Sequence, residues 1–422
     1  MSHLETTYYD VVVCGGGAGG VGAAIGAAKA GAKVCLVEKY GFLGGAATTS
    51  QVLAYCGLYQ QGKDPIQAVA GVAEELLTEL RALGLSADPH CSETTGNWIV
   101  MLDTELLKLA LDRLLRKYQV DIHLHTRCAA VSRTGKDIEA VTLAGMEGRS
   151  RVVADAFVDA SGDANLAMLT GVDYQIGNRE HKLQALTMPL RIGGVNPSVK
   201  IDRANLQKAI GDYNINGQFP IARTDGGILI RLPLSRDLWW MLVDLPLDDL
   251  TSRSFTTAEM NGREMAHAYL AMLKQLPGCE QAYLVSTGPQ VGVRETRHPE
   301  SRYTITRDDI LEGAEREDSV ARAAWPIELH AEAGKPVYHS IGGRGFAQVP
   351  YDSLRAKGVD NLWYAGRVIG ADDQAYGSVR VMGTAFATGQ AAGVAAADFA
   401  DRHHVSDVSS VQRQLLAQGA ML

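Results

Sequence analysis

The chain has six cysteines, Cys14, Cys35, Cys56, Cys91, Cys128 and Cys279, and no two of them form a C-x-x-C pair. The spacing that builds dithiol redox centres, iron–sulfur clusters and zinc sites is therefore missing. Cys14 and Cys35 fall in apolar, β-branched stretches, where cysteine serves as a small buried residue. No apolar run reaches the ~20 residues that a membrane-spanning helix needs. Residues Met1 to Asp10 have neither a basic start nor an apolar signal core, which points to a cytoplasmic protein. There is no basic block and the formal net charge is -8, so nucleic acid is not an expected partner. His123 and His125 alternate on an expected strand and face one side. With no third ligand near them they read as a solvent-facing pair, and no metal site is expected.

At 422 residues the chain is too long for one ordinary core, and two domains are expected. A hydrophobic fraction of 46% and a charged fraction of 21% are those of a soluble globular protein. Its most informative stretch is Gly15-Gly16-Gly17-Ala18-Gly19-Gly20, because of what flanks it. Before it runs Tyr9 to Cys14, an apolar strand; after it come a small-residue helix, Val21 to Ala30, and a second strand, Lys33 to Val37, ending at Glu38. Strand, glycine turn, helix, strand and terminal acid are the parts of a dinucleotide-binding fingerprint, in order. Gly15 permits the tight turn, Gly17 lets the backbone approach a pyrophosphate, and Gly20 lets the helix pack close to the sheet. The helix N-terminus offers unpaired N–H groups to phosphates, and Glu38 is placed to accept from ribose hydroxyls. The loop holding Gly44, Gly45 and Ala46 can run along a flat ligand or be plain surface.

Amphipathic spacing predicts helices over Ile66 to Leu83 and, capped by Asp103, over Thr104 to Tyr118. Short strands at 122–125, 129–132 and 138–144 suggest a small antiparallel insertion. Val152 to Asp159 is a further apolar strand leading into Ala160-Ser161-Gly162-Asp163. From 172 to about 335 the signals change to strands at 185–192, 228–232 and 238–245 and a helix over 257–276, which favour an antiparallel sheet. The first pattern returns with a strand at 361–364, then Ala365-Gly366-Arg367, and a helix from Gly383 to Gly393 whose small residues mirror the first. Helices this smooth are expected to lay their backbone close to a sheet. The fold expected is α/β: a discontinuous Rossmann-like dinucleotide domain (1–171 and 336–422) around an inserted α+β antiparallel-sheet substrate domain (172–335).

Four segments carry a family resemblance: Asp10 to Gly20; Val158 to Asp163; Arg294 to Arg297 with Trp325 to His330; and Val349 to Tyr351 through Asn361 to Arg367 to Arg380 to Ala385. In that order they resemble the FAD-dependent oxidoreductases with a glutathione-reductase-like flavin domain. Ser161 stands where that family's turn usually has threonine, and a hydroxyl is kept. The resemblance implies FAD, with adenosine at Glu38 and Lys39, pyrophosphate on Gly15, Gly17, Ala18, Gly19 and Gly20, and Gly44, Gly45 and Ala46 alongside. It extends the cofactor set to Cys128, Ala129, Ser161, Gly162, Asp163, Gly366, Arg367 and Arg380. The flavin would lie under Met382, Gly383, Thr384 and Ala385, whose N–H groups would stabilise the reduced ring's negative edge. Lys39 and Arg367 also read as solvated surface charges, and Arg367 or Arg380 could instead hold a substrate carboxylate.

A flavin accepts the hydride itself, and the protein places the substrate and manages protons. Glu328 and His330 alternate on a short segment and so share a face. His330 is the first candidate base, with His339 and Tyr338 behind it, and a structural histidine is the competing reading. Arg344, in a glycine loop where the chain returns to the first domain, is a candidate carboxylate clamp. Arg294 and Arg297 suit a domain-junction ion pair as well as substrate binding. These residues point to a flavin dehydrogenase or reductase acting on a small molecule. A single-component monooxygenase, fed by a nicotinamide and oxygen, competes, although its usual late G-D motif is replaced by Gly366-Arg367. A flavin electron-transfer subunit is the third class, and its cysteine-cluster motifs are missing. Self-association into a homo-oligomer stays open.

Overall fold

A computed structural model describes residues 6–92, 95–330, 332 and 334–422; residues 1–5 of the expected first domain lie outside them. The fingerprint folds as read. Strand β1 (Thr6–Cys14) leads through the glycine turn into helix α1 (Ala18–Lys29), and β2 (Val34–Val37) follows. Helix α2 (Val72–Ala82) starts six residues later than its apolar spacing suggests. Gly71 sits at φ +61 and packs against Gln390, whose Oε1 accepts from the Val72 N–H at 3.1 Å. Helix α3 (Thr104–Lys117) is capped by Asp103, which accepts from the N–H groups of Glu105 and Leu106.

Next come β3 (Asp121–His123), β4 (Arg127–Thr134), β5 (Asp137–Gly145) and β6 (Gly148–Asp159). The spatial order is β3-β2-β1-β6-β5-β4. Strands β3, β2, β1 and β6 run parallel, while β4 and β5 pair antiparallel. The β4–β5 hairpin therefore extends the main sheet and is not a separate insertion. The length of β6 makes this possible: its first half pairs with β5, and its last three residues pair with a later strand. Strand β3 stops at His123, and His125 turns away at φ +54 against Gly41, so the two histidines do not form the expected same-face pair.

A second sheet follows, built from β7 (Leu186–Gly193), β8 (Ile228–Arg231), β9 (Leu238–Leu245) and, after helix α4 (Ser252–Leu273), β10 (Tyr283–Ser286). All its pairings are antiparallel, in the order β8-β9-β7-β10. Adjacent residues of a strand face opposite ways, and β9 uses this with Trp239 and Trp240. Trp240 lies in the second core, its indole N–H on the Gly226 carbonyl. Trp239 lies in the first core, its N–H 2.8 Å from the Gln51 carbonyl. The sheet is thus covered on one face by its own helices and on the other by the dinucleotide-binding unit. The second core draws on residues 183–293, whereas Ile305, Ile310, Val320 and Ile327 pack in the first.

The chain closes with a two-stranded hairpin, β11 (Ile327–Leu329) with β12 (Val337–His339), then β13 (Leu362–Tyr364) parallel to the end of β6, and helix α5 (Met382–Arg402). The glycines of α1 and α5 serve helix-on-helix contact more than helix-on-sheet contact. A Cβ on Gly393 would stand 2.0 Å from the Ala23 carbonyl oxygen, one on Gly389 2.1 Å from that of Gly19, and one on Gly22 2.5 Å from that of Phe386. Among the described residues no helix is long and apolar enough to cross a membrane.

Candidate active site

Parallel pairing places Cys14 beside Asp159 and Asp159 beside Tyr364. The loops that follow β1, β6 and β13 therefore leave the sheet at one edge, the carboxyl ends of the strands, where open α/β sheets bind ligands. Two glycines of the first turn answer to packing. Gly15 lies at φ +108 with a Cβ position 2.4 Å from the Ala160 carbonyl oxygen, and a Cβ on Gly20 would fall 1.7 Å from that of Gly15. Gly17 answers to neither constraint. Its φ is -76, and a Cβ there would meet only Gly45, at an ordinary 3.5 Å. Gly17 is also the N-cap of α1, with no capping side chain and no acid in the first turn. The space over it suits a phosphate on the helix N-terminus. Gly45, at φ +56, brings the loop after β2 against Gly17, and Ala46 begins a single helical turn beyond it.

Glu38 folds inward at the end of β2. Its Oε2 accepts from the Gly16 N–H at 2.7 Å and its Oε1 from the Tyr40 N–H at 3.0 Å. Each carboxylate oxygen keeps a lone pair for a ribose hydroxyl. Lys39 instead stacks on the Tyr40 ring, its Nζ 5.2 Å from the centroid. Cys128 meets Cys14 with sulfurs 2.7 Å apart, and Ala129 beside it is exposed.

In the second loop the Ser161 hydroxyl donates to the buried Asp159 carboxylate at 2.6 Å and accepts from the Asn165 N–H at 2.9 Å. The hydroxyl thus builds the turn. Gly162 makes room for Arg367, which pairs with Asp163 at 3.0 Å and donates to the Val293 carbonyl. Arg367 is accordingly a half-buried strut across three loops and not a solvated charge. Gly366 rests against Ala385 and Gly19, joining the third loop to both helices. Arg297 donates to the Asp163 carbonyl, across the expected domain boundary, whereas Arg294 pairs with Asp244 at 3.3 Å within the expected substrate domain.

The late helix start gathers polar atoms that the protein itself does not satisfy. Helix α5 has no capping side chain and no acid in its first turn, and the buried Thr384 hydroxyl has no partner. Gly383 lies against the Cys56 carbonyl, and Gly57 lies over Thr384. Arg380, just before the helix, donates through Nη2 to the Glu328 carbonyl at 3.0 Å, while its buried Nε has no partner. Among the described residues nothing pairs with either atom, unpaired buried polar atoms are costly, and the two residues lie four apart around the start of one helix.

Beside them lies His330, 4% exposed. As the alternation of β11 implies, its Nε2 meets Glu328 Oε1 at 2.9 Å, and its buried Nδ1 has no partner among the described residues. Burial, and next the Arg294 charge, hold the imidazole below its usual range, against the opposing pull of Glu328. Burial works against ionising Glu328, yet hydrogen bonding and positive charge hold its carboxyl below the usual range. A neutral His330 does not supply that charge. Arg380 and the Trp325 donor act on Glu328 in the same direction, and the Tyr338 hydroxyl also donates to it.

The other two catalytic candidates do not join this group. His339 pairs with Ile327 across the hairpin, while its neighbour Tyr338 pairs with Glu328, so alternation turns His339 to the opposite face. Arg344 is exposed, stacked on Phe346 and 3.1 Å from Glu315, a surface ion pair in place of the expected clamp. Trp325, Gln184 and Asp244 were not singled out by sequence. Trp325 donates to Glu328, Gln184 accepts from the His330 N–H, and Asp244 holds Arg294. Only Asp244, a lone charge within the apolar run of β9, carried a signal.

Residues 10–417 match the FAD dependent oxidoreductase family. Curated relatives include the aerobic glycerol-3-phosphate dehydrogenase of Staphylococcus haemolyticus, 33% identical over 28% of this chain and 22% of that protein. That of Staphylococcus aureus is 34% identical over 24% of this chain and 16% of its own. The chain thus spans a fifth or so of the length of these relatives. Among solved structures it is similar to CabE, an aromatic hydroxylase from angucycline biosynthesis, with TM-score 0.50 and 13% identity over 98% of this chain and 69% of that one. It is also similar to a geranylgeranyl bacteriochlorophyll reductase-like protein of Thermoplasma acidophilum, with TM-score 0.48 and 14% identity over 99% and 85%. At such identities the likeness to CabE is one of fold. The open cradle at Gly17 and the unsatisfied hydroxyl of Thr384 suit the two ends of one extended cofactor, and that cofactor is FAD. With the family match spanning nearly its whole length, the chain belongs to the FAD-dependent oxidoreductases.

Proposed function

We propose that this enzyme is a dehydrogenase that oxidises an alcohol or amine carbon of a small organic metabolite, with His330 as the proton acceptor. The observation that carries the reading is the buried, unpartnered Nδ1 of His330 beside the start of α5. Bound FAD supplies the hydride acceptor, N5. The chain's own residues do the rest. Gly15, Gly17, Ala18, Gly19 and Gly20 cradle the pyrophosphate, Glu38 holds the ribose, and Met382 to Ala385 turn their N–H groups toward the ring. A hydroxyl or amine must shed a proton as its carbon is oxidised, and Nδ1 of a neutral His330 takes it. A base so placed contributes about a hundredfold to ten-thousandfold in rate. The free Nε of Arg380 suits an anionic group on the substrate, and the second sheet, in the 172–335 substrate domain, walls the space. The location proposed is the cytoplasm.

Anaerobic mixing of the holoenzyme with a panel of hydroxy and amino metabolites, read as bleaching of the flavin absorbance, tests this. A bleaching substrate whose reduction rate falls at least a hundredfold in His330→Asn supports the reading. Reduction at the parent rate in that variant makes His330 structural.

A further inference from the structure

We infer that Glu328 is a positioning residue: it holds the His330 ring with its proton on Nε2, so that Nδ1 is the basic nitrogen. The inference rests on the reading of His330 as the proton acceptor, and it adds which nitrogen acts and what sets it.

Three donors and two oxygens decide the matter. Glu328 Oε2 accepts from the Trp325 indole N–H at 2.8 Å, and Oε1 accepts from the Tyr338 hydroxyl at 2.9 Å while facing His330 Nε2 at 2.9 Å. An ionised carboxylate has no hydrogen to give, so the contact to His330 forms only if Nε2 carries the proton. A neutral imidazole has one N–H, and Nδ1 is then a bare lone pair. Among the described residues no protein atom pairs with it.

The charged groups facing the ring pull in opposite directions. Arg294 and Arg380 both oppose an imidazolium, and Glu328 is the counter-charge. Glu328 is itself fixed from several sides. Tyr338 reaches it across the hairpin, where the two residues are in register. Arg380 grips its carbonyl, and Gly377 lets the preceding helical turn pack on its backbone, where a Cβ would come 2.8 Å from the Glu328 oxygen. The main chain of His330 is held as well: its N–H donates to Gln184 Oε1 at 3.2 Å and its carbonyl accepts from the Ala185 N–H. Ring and carboxylate thus have little freedom to exchange roles. A carboxylate that orients a histidine through the nitrogen remote from the reacting atom is a general device for fixing a tautomer.

The test is nitrogen NMR of the FAD-loaded protein labelled with ¹⁵N-histidine, with the His330 signals assigned by their absence in His330→Asn. The expected native result at neutral pH is a pyrrole-type Nε2 bearing a downfield, hydrogen-bonded proton and a pyridine-type Nδ1. In Glu328→Ala, still loaded with FAD, that downfield proton is expected to disappear and the two nitrogen shifts to move toward each other. Tyr338→Phe should keep the native pattern. A protonated Nδ1 or an imidazolium in the native protein overturns the inference, and so do unchanged shifts in Glu328→Ala. Should that variant not fold, the native spectrum alone decides. The spectrum reads the tautomer whether or not a substrate is known. A native pattern together with undiminished turnover in His330→Asn would remove His330 as the base and leave the role of Glu328 standing.

Discussion

Glu38 and Gly16, 22 residues apart in sequence, are joined at 2.7 Å, the glycine N–H donating to the carboxylate. In the proposed placement of FAD, the acid assigned to the ribose therefore also holds the turn assigned to the pyrophosphate. Removing it takes away a ligand contact and loosens a second one. Glu38→Ala is expected to weaken FAD binding by about 1.5–3 kcal/mol for each charge-assisted bond lost, which is at least tenfold. Titration of the deflavinated protein with FAD, followed by flavin fluorescence, measures this. Affinity equal to the parent's would remove Glu38 from the site. The flavin released on denaturation should be FAD, since FMN lacks the adenosine that Glu38 faces.

The contact between α1 and α5 gives a second, opposed pair of outcomes. Gly393→Ala must push a methyl into the Ala23 backbone, where its Cβ would lie 2.0 Å from oxygen. Neither helix can yield locally, so a loss of about 1–3 kcal/mol or more is expected. Gly211, within the helix Arg203–Asn216, has nothing within 4 Å of its Cβ position. Gly211→Ala should stabilise by roughly 0.5–1 kcal/mol through reduced backbone entropy. Urea midpoints of the two variants should move in opposite directions.

The sequence was most legible where local rules govern. The Asp103 cap depends on the next few residues, and the glycine turn and Glu38 belong to one continuous strand–turn–helix–strand stretch, so each folds as its motif implies. The purpose of the smooth helices was not legible, because α1 and α5 lie more than 350 residues apart and nothing local reveals that they touch. Arg344 and His339 failed as candidates for a related reason. A glycine loop and an alternating hairpin are visible in sequence, but the direction in which a side chain leaves them depends on register and on partners such as Glu315. His330 was legible because its partner, Glu328, is two residues away on the same face.

Acid should expose the buried imidazole. In the folded protein His330 resists protonation, because burial and Arg294 oppose the charge, whereas unfolding returns it to about 6.5. Below that pH the unfolded chain binds the extra proton and the folded one does not. Stability from this group is therefore complete above about pH 6.5 and is lost as the pH falls further. His330→Asn has no such proton to bind. The stability difference between parent and variant should shrink as the pH drops from 7 to 5, as read by urea denaturation at each pH. A constant difference would mean that His330 titrates normally. Glu328 adds acid sensitivity of the same sign at lower pH.

NADH and NADPH are expected to reduce the flavin slowly or not at all. A nicotinamide dinucleotide needs a place for its own pyrophosphate, and a glycine turn at a helix N-terminus is the usual one. The strand–glycine turn–helix–strand–acid unit of residues 6–38 is the one proposed to hold FAD. The second sheet is wholly antiparallel, and its connections do not repeat that unit. Arg367, in the loop after β13, is tied to Asp163 and Val293. Anaerobic stopped-flow mixing of the oxidised holoenzyme with each nicotinamide decides the matter. Bleaching slower than the turnover found with a metabolite fits a dehydrogenase that receives its electrons from substrate. Fast, saturable bleaching would instead favour the monooxygenase reading, since a hydroxylase must draw its electrons from a nicotinamide before oxygen can react.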